Sequence, residues 1–219
     1  MTLAAVDFGK ALRRHGIVAI LRGVAGGTLA ARVDALYGAG IRLIEISLSD
    51  PAALPMVADL RRLAPSDMLV GAGTVTSAEL AAAAHENGAG FLVTPHVAPD
   101  VIAYAVGRDL GLLTGALTPT EIALARGAGS TFIKLFPAAA MGPGYVGSLL
   151  GPYPDLELVV VGGIGSHNLD AYLKAGAIGA GVAGSLASAT DAGDFREAAD
   201  EARRLVAAFE RRGREGAPT

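Results

Sequence analysis

The chain repeats one unit along its length, in which a short apolar run is followed by a longer stretch rich in Ala and Leu. Such runs predict buried strands and such stretches predict helices, so the repeat is typical of βα units in a parallel sheet. Successive runs start roughly 20–26 residues apart, which is about the length that a strand, a helix and two turns need. The eight runs are Ile17–Leu21, Leu43–Leu48, Met68–Thr74, Phe91–Thr94, Leu112–Gly115, Phe132–Phe136, Leu158–Gly162 and Ala177–Val182.

Eight units of this kind predict an α/β fold whose strands close into a (β/α)8 TIM barrel. We expect residues 1–210 to form this barrel as a single domain, since barrels of about 200–250 residues fold as one unit. Residues 211–219 are charged and then rich in Gly and Pro, which predicts a frayed tail. An open Rossmann-like sheet is the alternative. Its usual Gly-x-Gly-x-x-Gly turn is not matched by residues 22–27, which read Arg-Gly-Val-Ala-Gly-Gly.

The charge balance and the absence of cysteine exclude several classes of function. The 18 Lys and Arg residues and 21 Asp and Glu residues are interspersed, so there is no basic patch for nucleic acid or an anionic membrane. No apolar run reaches the ~18–20 residues of a membrane span. The chain has no Cys, which excludes disulfides and a thiol nucleophile. The first residues lack the pattern of an export signal, so we expect a cytoplasmic protein.

Two charged side chains interrupt the apolar strands. In the second strand Ile44 and Ile46 form an apolar face that should pack on helices, which directs Glu45 into the barrel. In the sixth strand Lys134 lies between two aromatic residues on one face. The other two lysines of the chain fall in helical stretches. Lys134 is therefore the lysine that the sequence predicts to be buried in a strand.

Burial lowers the pKa of a lysine and yields the neutral amine, which attacks a carbonyl to form a Schiff base. The alternative is a buried ion pair between Lys134 and Glu45 that serves only the fold. Because buried ion pairs contribute little to stability, the catalytic interpretation is favoured.

Other candidate residues lie at the C-terminal ends of the predicted strands. A barrel enzyme has its active site at this end of the strands. Gly162 and Gly163 follow the seventh strand, and Gly184 and Ser185 follow the eighth. Barrels often bind phosphate at this place, so the pair of loops predicts a phosphate site; two tight turns are the alternative. Two further candidates are Arg22, which follows the first strand and could bind a carboxylate, and Thr74, which ends the third strand and could add a hydroxyl or a backbone N–H.

Metal ligands are not predicted. The four histidines are scattered without the pairing that a metal site needs. His96 is interpreted as a solvated loop residue. Glu121 follows Thr118 by three residues, the spacing of a capping box at a helix start. We therefore expect no metal and no cofactor.

The residues above stand in a series of motifs that runs over nearly the whole chain. The motifs are Ile20-Leu21-Arg22-Gly23, Ile44-Glu45-Ile46, Gly71-Ala72-Gly73-Thr74-Val75, Val93-Thr94-Pro95, Thr118-Pro119-Thr120-Glu121, Ile133-Lys134-Leu135-Phe136-Pro137 and Gly162-Gly163-Ile164. Together they resemble the motifs of the 2-keto-3-deoxy-6-phospho-sugar-acid aldolases. The resemblance implies a (β/α)8 class I aldolase that splits a phosphorylated 2-keto-3-deoxy sugar acid into pyruvate and glyceraldehyde 3-phosphate. It also implies a homotrimer.

The resemblance assigns roles residue by residue. Lys134 matches the Schiff-base lysine and Glu45 the general acid/base. The residues that match substrate binders are Arg22 and Thr74 for the pyruvate carboxylate, and Gly162, Gly163, Gly184 and Ser185 for the phosphate.

Two departures from the gluconate-type members bear on the substrate. Ser47-Leu48-Ser49-Asp50 replaces a run that contains Arg, and Val161 replaces a Thr. Both changes resemble the galactonate branch, which implies 2-dehydro-3-deoxy-6-phosphogalactonate as the substrate and leaves its gluconate epimer as the alternative. Two further alternatives, a phosphate-binding isomerase or epimerase barrel and a non-catalytic barrel, would not need Lys134.

Overall fold

The structure is a computed structural model that describes residues 4–187 and 194–215. Eight parallel strands pair in sequence order, and β1 pairs with β8 to close the barrel. This confirms the (β/α)8 prediction and excludes the open sheet. The strands are β1 Ile17–Leu21, β2 Leu43–Ser47, β3 Leu69–Gly73, β4 Phe91–Val93, β5 Gly111–Ala116, β6 Phe132–Leu135, β7 Glu157–Val161 and β8 Gly179–Val182.

Helices connect the strands and cover the outside of the barrel, which is the arrangement that right-handed βα crossovers produce. The helices are α1 Ala4–His15, α2 Leu29–Gly38, α3 Pro55–Leu63, α4 Ala78–Glu86, α5 Pro99–Val106, α6 Pro119–Gly127, α7 Ala138–Met141, α8 Pro143–Leu150, α9 Leu169–Lys174, α10 Gly184–Ala187 and α11 Arg196–Glu215. Short 3₁₀ turns at Gly26–Thr28 and Pro51–Ala53 precede α2 and α3. No helix in the described part of the chain combines the length and the apolar character that a membrane span requires.

Side chains alternate between the inside of the barrel and the layer under the helices. Ile44 and Ile46 belong to the outer apolar cluster, whereas Leu43 belongs to the inner one. The alternation therefore directs Glu45 inward, as the sequence predicts. In β6 the same pattern places Phe132 with the inner cluster and Ile133 with the outer one.

One end of the barrel is closed by α1. The ring of Phe8 stacks on Phe91 with the centroids 4.8 Å apart and meets the edge of Phe132 at 5.6 Å. All three rings are almost fully buried. Because this plug fills the N-terminal end of the strands, the barrel opens at their C-terminal ends.

The structure shifts several predicted strand ends by one or two residues. Thr74 lies outside β3, because its φ of 60° ends the extended backbone. Ala177 precedes β8, because its N–H donates to the carbonyl of Tyr172 and closes the turn after α9. The capping box at α6 is confirmed, with Glu121 Oε2 accepting the Thr118 N–H at 2.7 Å.

The final helix continues beyond the predicted start of the tail. Residues 211–215 belong to α11, since Arg and Glu are good helix formers and carry the helix past Arg211. Residues 216–219, the rest of the predicted tail, lie outside the described residues.

Candidate active site

A cavity of about 550 Å³ opens at the C-terminal ends of the strands. That volume falls within the roughly 300–1,000 Å³ typical of small-molecule sites. All nine site residues predicted from the sequence line it, and they come from different parts of the chain. They are Arg22, Glu45, Thr74, Lys134, Val161, Gly162, Gly163, Gly184 and Ser185.

Lys134 projects from β6 into this cavity and is 7% exposed. Burial lowers its pKa below the usual range for lysine. Glu45 opposes that shift, and the positive charge of Arg22 adds to it. The Lys134 ammonium nitrogen lies 5.1 Å from the centre of the Phe136 ring. Lys10 and Lys174 are both exposed, so Lys134 is the lysine that the fold buries.

Glu45 projects from β2 and is 2% exposed. Burial raises its pKa to about 7, and the charges of Lys134 and Arg22 limit the rise. Its Oε2 atom is buried without a hydrogen-bond partner among the described residues. A carboxylate with an unpaired buried oxygen is costly unless the site uses it.

No nitrogen–oxygen distance of 4.0 Å or less joins Lys134 to Glu45 in the described part of the chain. The two side chains therefore do not form a contact ion pair, although their charges still interact. The two groups influence each other's pKa across the cavity while both remain available to a substrate.

Thr74 stands directly after β3 in a left-handed backbone conformation that β-branched residues rarely adopt. Its hydroxyl lies 2.9 Å from the hydroxyl of Ser47 at the end of β2. Ser47 in turn donates to the Ser49 hydroxyl at 3.3 Å. The chain of three hydroxyls extends from the loop after β2 to the wall of the cavity, and only Ser47 in it is fully buried.

The loop after β7 forms another wall. Gly162 and Gly163 have φ values of +93° and +74°, which strongly favour glycine. Asn168 ties this loop together, since its side-chain oxygen accepts the Gly165 N–H at 3.0 Å and its amide donates to the Gly163 carbonyl at 2.9 Å. Gly184 and Ser185, which begin α10 after β8, are exposed and line the same cavity.

Sequence reasoning missed several residues of the wall, chiefly His167 and Glu201. His167 lies four residues after Gly163 in the same loop after β7. Because that loop is predicted to line the site, its position could have identified His167 as a further candidate. Glu201 lies on α11, where a carboxylate on an amphipathic helix usually faces solvent. His96 is exposed and does not line the cavity, which confirms its interpretation as a loop residue.

Comparison with known proteins identifies the family to which this site belongs. The sequence model of the family described as "KDPG and KHG aldolase" matches residues 9–200. The chain belongs to this aldolase family. The fold and the family predicted from the motifs are thereby confirmed, and the chain is an aldolase.

Individual relatives of the aldolase carry two kinds of name. The 2-dehydro-3-deoxy-6-phosphogalactonate aldolase of Escherichia coli strain K12 is 35% identical over 174 residues, which are 78% of this chain and 83% of the relative. The 2-dehydro-3-deoxy-phosphogluconate aldolase of Haemophilus influenzae is 36% identical over 141 residues, 64% of this chain and 66% of the relative. A solved structure described as "Native KDPGal structure" is 32% identical with a TM-score of 0.81, covering 90% of this chain and 96% of that one.

Proposed function

We propose that this aldolase cleaves 2-dehydro-3-deoxy-6-phosphogalactonate into pyruvate and D-glyceraldehyde 3-phosphate through a Schiff base on Lys134. The observation that carries the proposal is the placement of Lys134 and Glu45. Both side chains are buried in the wall of one cavity, and burial moves both pKa values toward neutrality. Groups tuned in this way serve as nucleophile and as general acid/base near pH 7.

The first half of the reaction uses Lys134. Its neutral amine attacks the C2 ketone to give a carbinolamine, which takes up a proton from solvent and loses water to form a protonated imine. Glu45 then removes the proton of the C4 hydroxyl, the C3–C4 bond breaks, and its electron pair moves to the imine nitrogen. Glyceraldehyde 3-phosphate leaves, and an enamine of pyruvate remains on Lys134.

The second half returns the proton. Glu45, now protonated, gives its proton to C3 of the enamine and restores the imine, which water hydrolyses to free pyruvate and the amine of Lys134. A carboxyl group with a pKa of about 7 holds a proton part of the time at neutral pH, so it can both accept and return one.

The two ends of the substrate are assigned to different groups of residues in the cavity wall. Arg22 and Thr74, which follow β1 and β3, are assigned to the pyruvate carboxylate, since a guanidinium and a hydroxyl both donate to carboxylate oxygens. The phosphate is assigned to Gly162 and Gly163 in the loop after β7 and to Gly184 and Ser185 at the start of α10. Glycines let an anion approach backbone N–H groups closely, which suits this role.

The galactonate epimer is proposed from Val161 and from the run after Glu45. Val161 is 5% exposed, ends β7 in the cavity wall and cannot donate or accept a hydrogen bond. Relatives named for the galactonate compound are 35% and 34% identical to this chain. The second candidate is the gluconate epimer, because relatives named for it reach 36% identity over a shorter match.

The assembly is proposed from the resemblance. We infer a homotrimer that acts in the cytoplasm. Some large apolar side chains are exposed on the surface, including Leu124 at 61% and Met141 at 44%, and an interface between copies could cover them. Light scattering at several protein concentrations tests the trimer, and a monomer at all of them would refute it.

Trapping and turnover experiments test the proposal. Pyruvate with borohydride should inactivate the enzyme and leave one reduced pyruvate on Lys134. Lys134→Met, which fills a similar volume without the amine, should fold normally and neither trap pyruvate nor cleave substrate. Labelling of Lys10 or Lys174, or cleavage by the variant, would refute the Schiff base and reopen the isomerase interpretation. The ratio of kcat/KM values for the two pure epimers then decides the substrate.

A further inference from the structure

Glu201 connects the last helix to the loop after β7. Its side chain is 12% exposed, although it belongs to a helix whose neighbouring charged side chains are largely in solvent. Oε1 accepts the backbone N–H of Ser166 at 2.7 Å, and Oε2 accepts the Ser166 hydroxyl at 2.7 Å. Arg204 also donates to Oε2, at 2.9 Å. Both oxygens of the carboxylate are therefore held.

The loop that Glu201 holds has a backbone with unusual freedom. Glycine occupies positions 162, 163 and 165, so the loop loses much conformational entropy when it adopts one shape. Asn168 bonds Gly163 and Gly165 within the loop, and the Gly162 carbonyl accepts the Ala139 N–H of α7 at 3.0 Å. Glu201 anchors the other end of the loop, at Ser166, to α11. A Cβ at position 165 would lie 3.3 Å from Oε1 of Glu201, so this glycine also gives the carboxylate its room.

Glu201 lines the same cavity as Gly162 and Gly163. A carboxylate beside a phosphate site would repel the ligand, and that is a cost of placing it there. Arg204 balances its charge, and Ser166 occupies its acceptor sites. Hydrogen bonds from Ser166 and Arg204 also lower the pKa of Glu201 against the effect of burial, so it stays ionised at neutral pH.

We propose that Glu201 is a positioning residue for the phosphate end of the substrate: by holding Ser166, it orders the loop after β7 before the ligand binds. The inference rests on the proposed function, because it refines the phosphate subsite assigned there. Ordering the loop during folding lowers the entropy that binding must remove, so the gain appears as affinity for the phosphorylated aldehyde. The imine on Lys134 forms at the other end of the substrate and does not depend on Glu201.

The test measures the condensation of pyruvate with D-glyceraldehyde 3-phosphate and with D-glyceraldehyde, which lacks the phosphate. Glu201→Ala should raise the KM for the phosphorylated aldehyde about five- to tenfold. Ser166→Ala keeps the backbone N–H bond and loses the hydroxyl bond, so it should raise that KM about two- to threefold. Neither variant should change the KM for glyceraldehyde, the KM for pyruvate or the rate of pyruvate trapping by borohydride.

Asp200→Ala is the matched control, because Asp200 pairs with Arg203 at the same spacing on α11 but is 59% exposed. It should leave every one of these constants unchanged. Thermal unfolding shows whether each variant is folded. If Glu201→Ala does not fold, the KM values of Ser166→Ala decide the test.

Three outcomes overturn the inference. If Glu201→Ala binds the phosphorylated aldehyde as tightly as the wild type or more tightly, the carboxylate acts only by repulsion or has no role. If the KM values for both aldehydes rise by the same factor, Glu201 has only a structural role. If the wild type itself does not distinguish the two aldehydes, the phosphate subsite of the proposed function fails and this inference fails with it.

Discussion

Gly73 lies against the carboxyl group of Glu45: a Cβ placed at position 73 would stand 2.7 Å from Cδ of Glu45 and closer still to Oε1. Real side chains do not approach this closely, so the missing side chain of residue 73 is what makes room for the carboxylate inside the barrel. The glycine in the motif Gly71-Ala72-Gly73-Thr74 thus serves the site and not only the end of β3.

Gly73→Ala should therefore displace Glu45 and lower kcat. The backbone at Gly73 does not have a positive φ, so alanine adds a steric conflict without a conformational penalty. We expect a loss of about 10²-fold in cleavage, the scale on which a misplaced general acid/base acts. Pyruvate trapping on Lys134 should be reduced much less. Cleavage at the wild-type rate would show that the carboxylate has room to move.

The alternation of side chains explains how much of this site could be predicted. Glu45 and Lys134 each interrupt an apolar strand, and a strand has only two faces, so the sequence places both in the barrel. The strand order then brings the remaining residues to one end of it.

The sequence pattern does not predict contacts between segments that lie far apart in the chain. The bond from Ser166 to Glu201 spans 35 residues and depends on how α11 packs. The room that Gly73 gives Glu45 depends on the register of β2 and β3. The left-handed backbone of Thr74 contradicts the usual preference of threonine, so no local rule predicts it.

The pKa of Glu45 predicts a pH dependence of catalysis. The carboxylate must be ionised to accept the C4 hydroxyl proton, so kcat/KM for cleavage should rise with pH through about 7 and level off above it. Glu45→Gln should lower kcat/KM by 10²-fold or more, and its kcat/KM should no longer rise with pH through 7. If kcat/KM of the variant still rises through pH 7, the titrating group is another one, such as the substrate phosphate.

The same pKa predicts a change in stability. Folding raises the pKa of Glu45 from 4.5 to about 7, so its protonated form favours the folded state. That contribution is fully present below pH 4.5 and is lost as the pH rises through 7. The free energy of unfolding of the wild type, compared with that of Glu45→Gln, should fall by about 1–3 kcal/mol between pH 4.5 and 8. Denaturant unfolding at a series of pH values measures it, and a constant difference would contradict the raised pKa.

The hydroxyl pair of Ser47 and Thr74 predicts an effect on pyruvate binding. If Thr74 donates its proton to the carboxylate, Ser47 can turn its own proton toward Thr74, since each hydroxyl both donates and accepts. Ser47→Ala should raise the KM for pyruvate about three- to tenfold in condensation and leave kcat within twofold. Ser47→Thr should restore the wild-type KM. Equal constants in all three proteins would remove Ser47 from the binding of the carboxylate.

A chelator should leave the rate of cleavage unchanged. In the proposed mechanism the electron pair of the breaking C3–C4 bond moves to the protonated imine, so no Lewis acid is needed to hold an enolate. The measurement compares enzyme dialysed against EDTA with untreated enzyme. Loss of activity that zinc or cobalt restores would indicate a metal-dependent aldolase instead.

Val161 predicts which C4 epimer the enzyme prefers. Its side chain ends β7 in the cavity wall, where Gly181 lies so close that a Cβ there would stand 2.9 Å from the Val161 Cγ2 atom. This packing fixes the valine and leaves an apolar surface where the gluconate-type enzymes carry a threonine hydroxyl. Threonine has nearly the same shape as valine, so Val161→Thr changes the hydrogen bonding of the wall with little change in its volume.

We expect the wild type to favour the galactonate epimer and Val161→Thr to shift the ratio of kcat/KM values toward the gluconate epimer. A hydrogen bond gained or misplaced at one hydroxyl contributes roughly 0.5–1.5 kcal/mol, which corresponds to a shift of about two- to tenfold. Pyruvate trapping should stay unchanged, since the variant keeps Lys134 and the residues assigned to the pyruvate carboxylate, Arg22 and Thr74. A wild type that prefers the gluconate epimer would refute the substrate assignment. An unchanged ratio in the variant would show that another part of the wall, such as the run from Ser47 to Asp50, makes the choice.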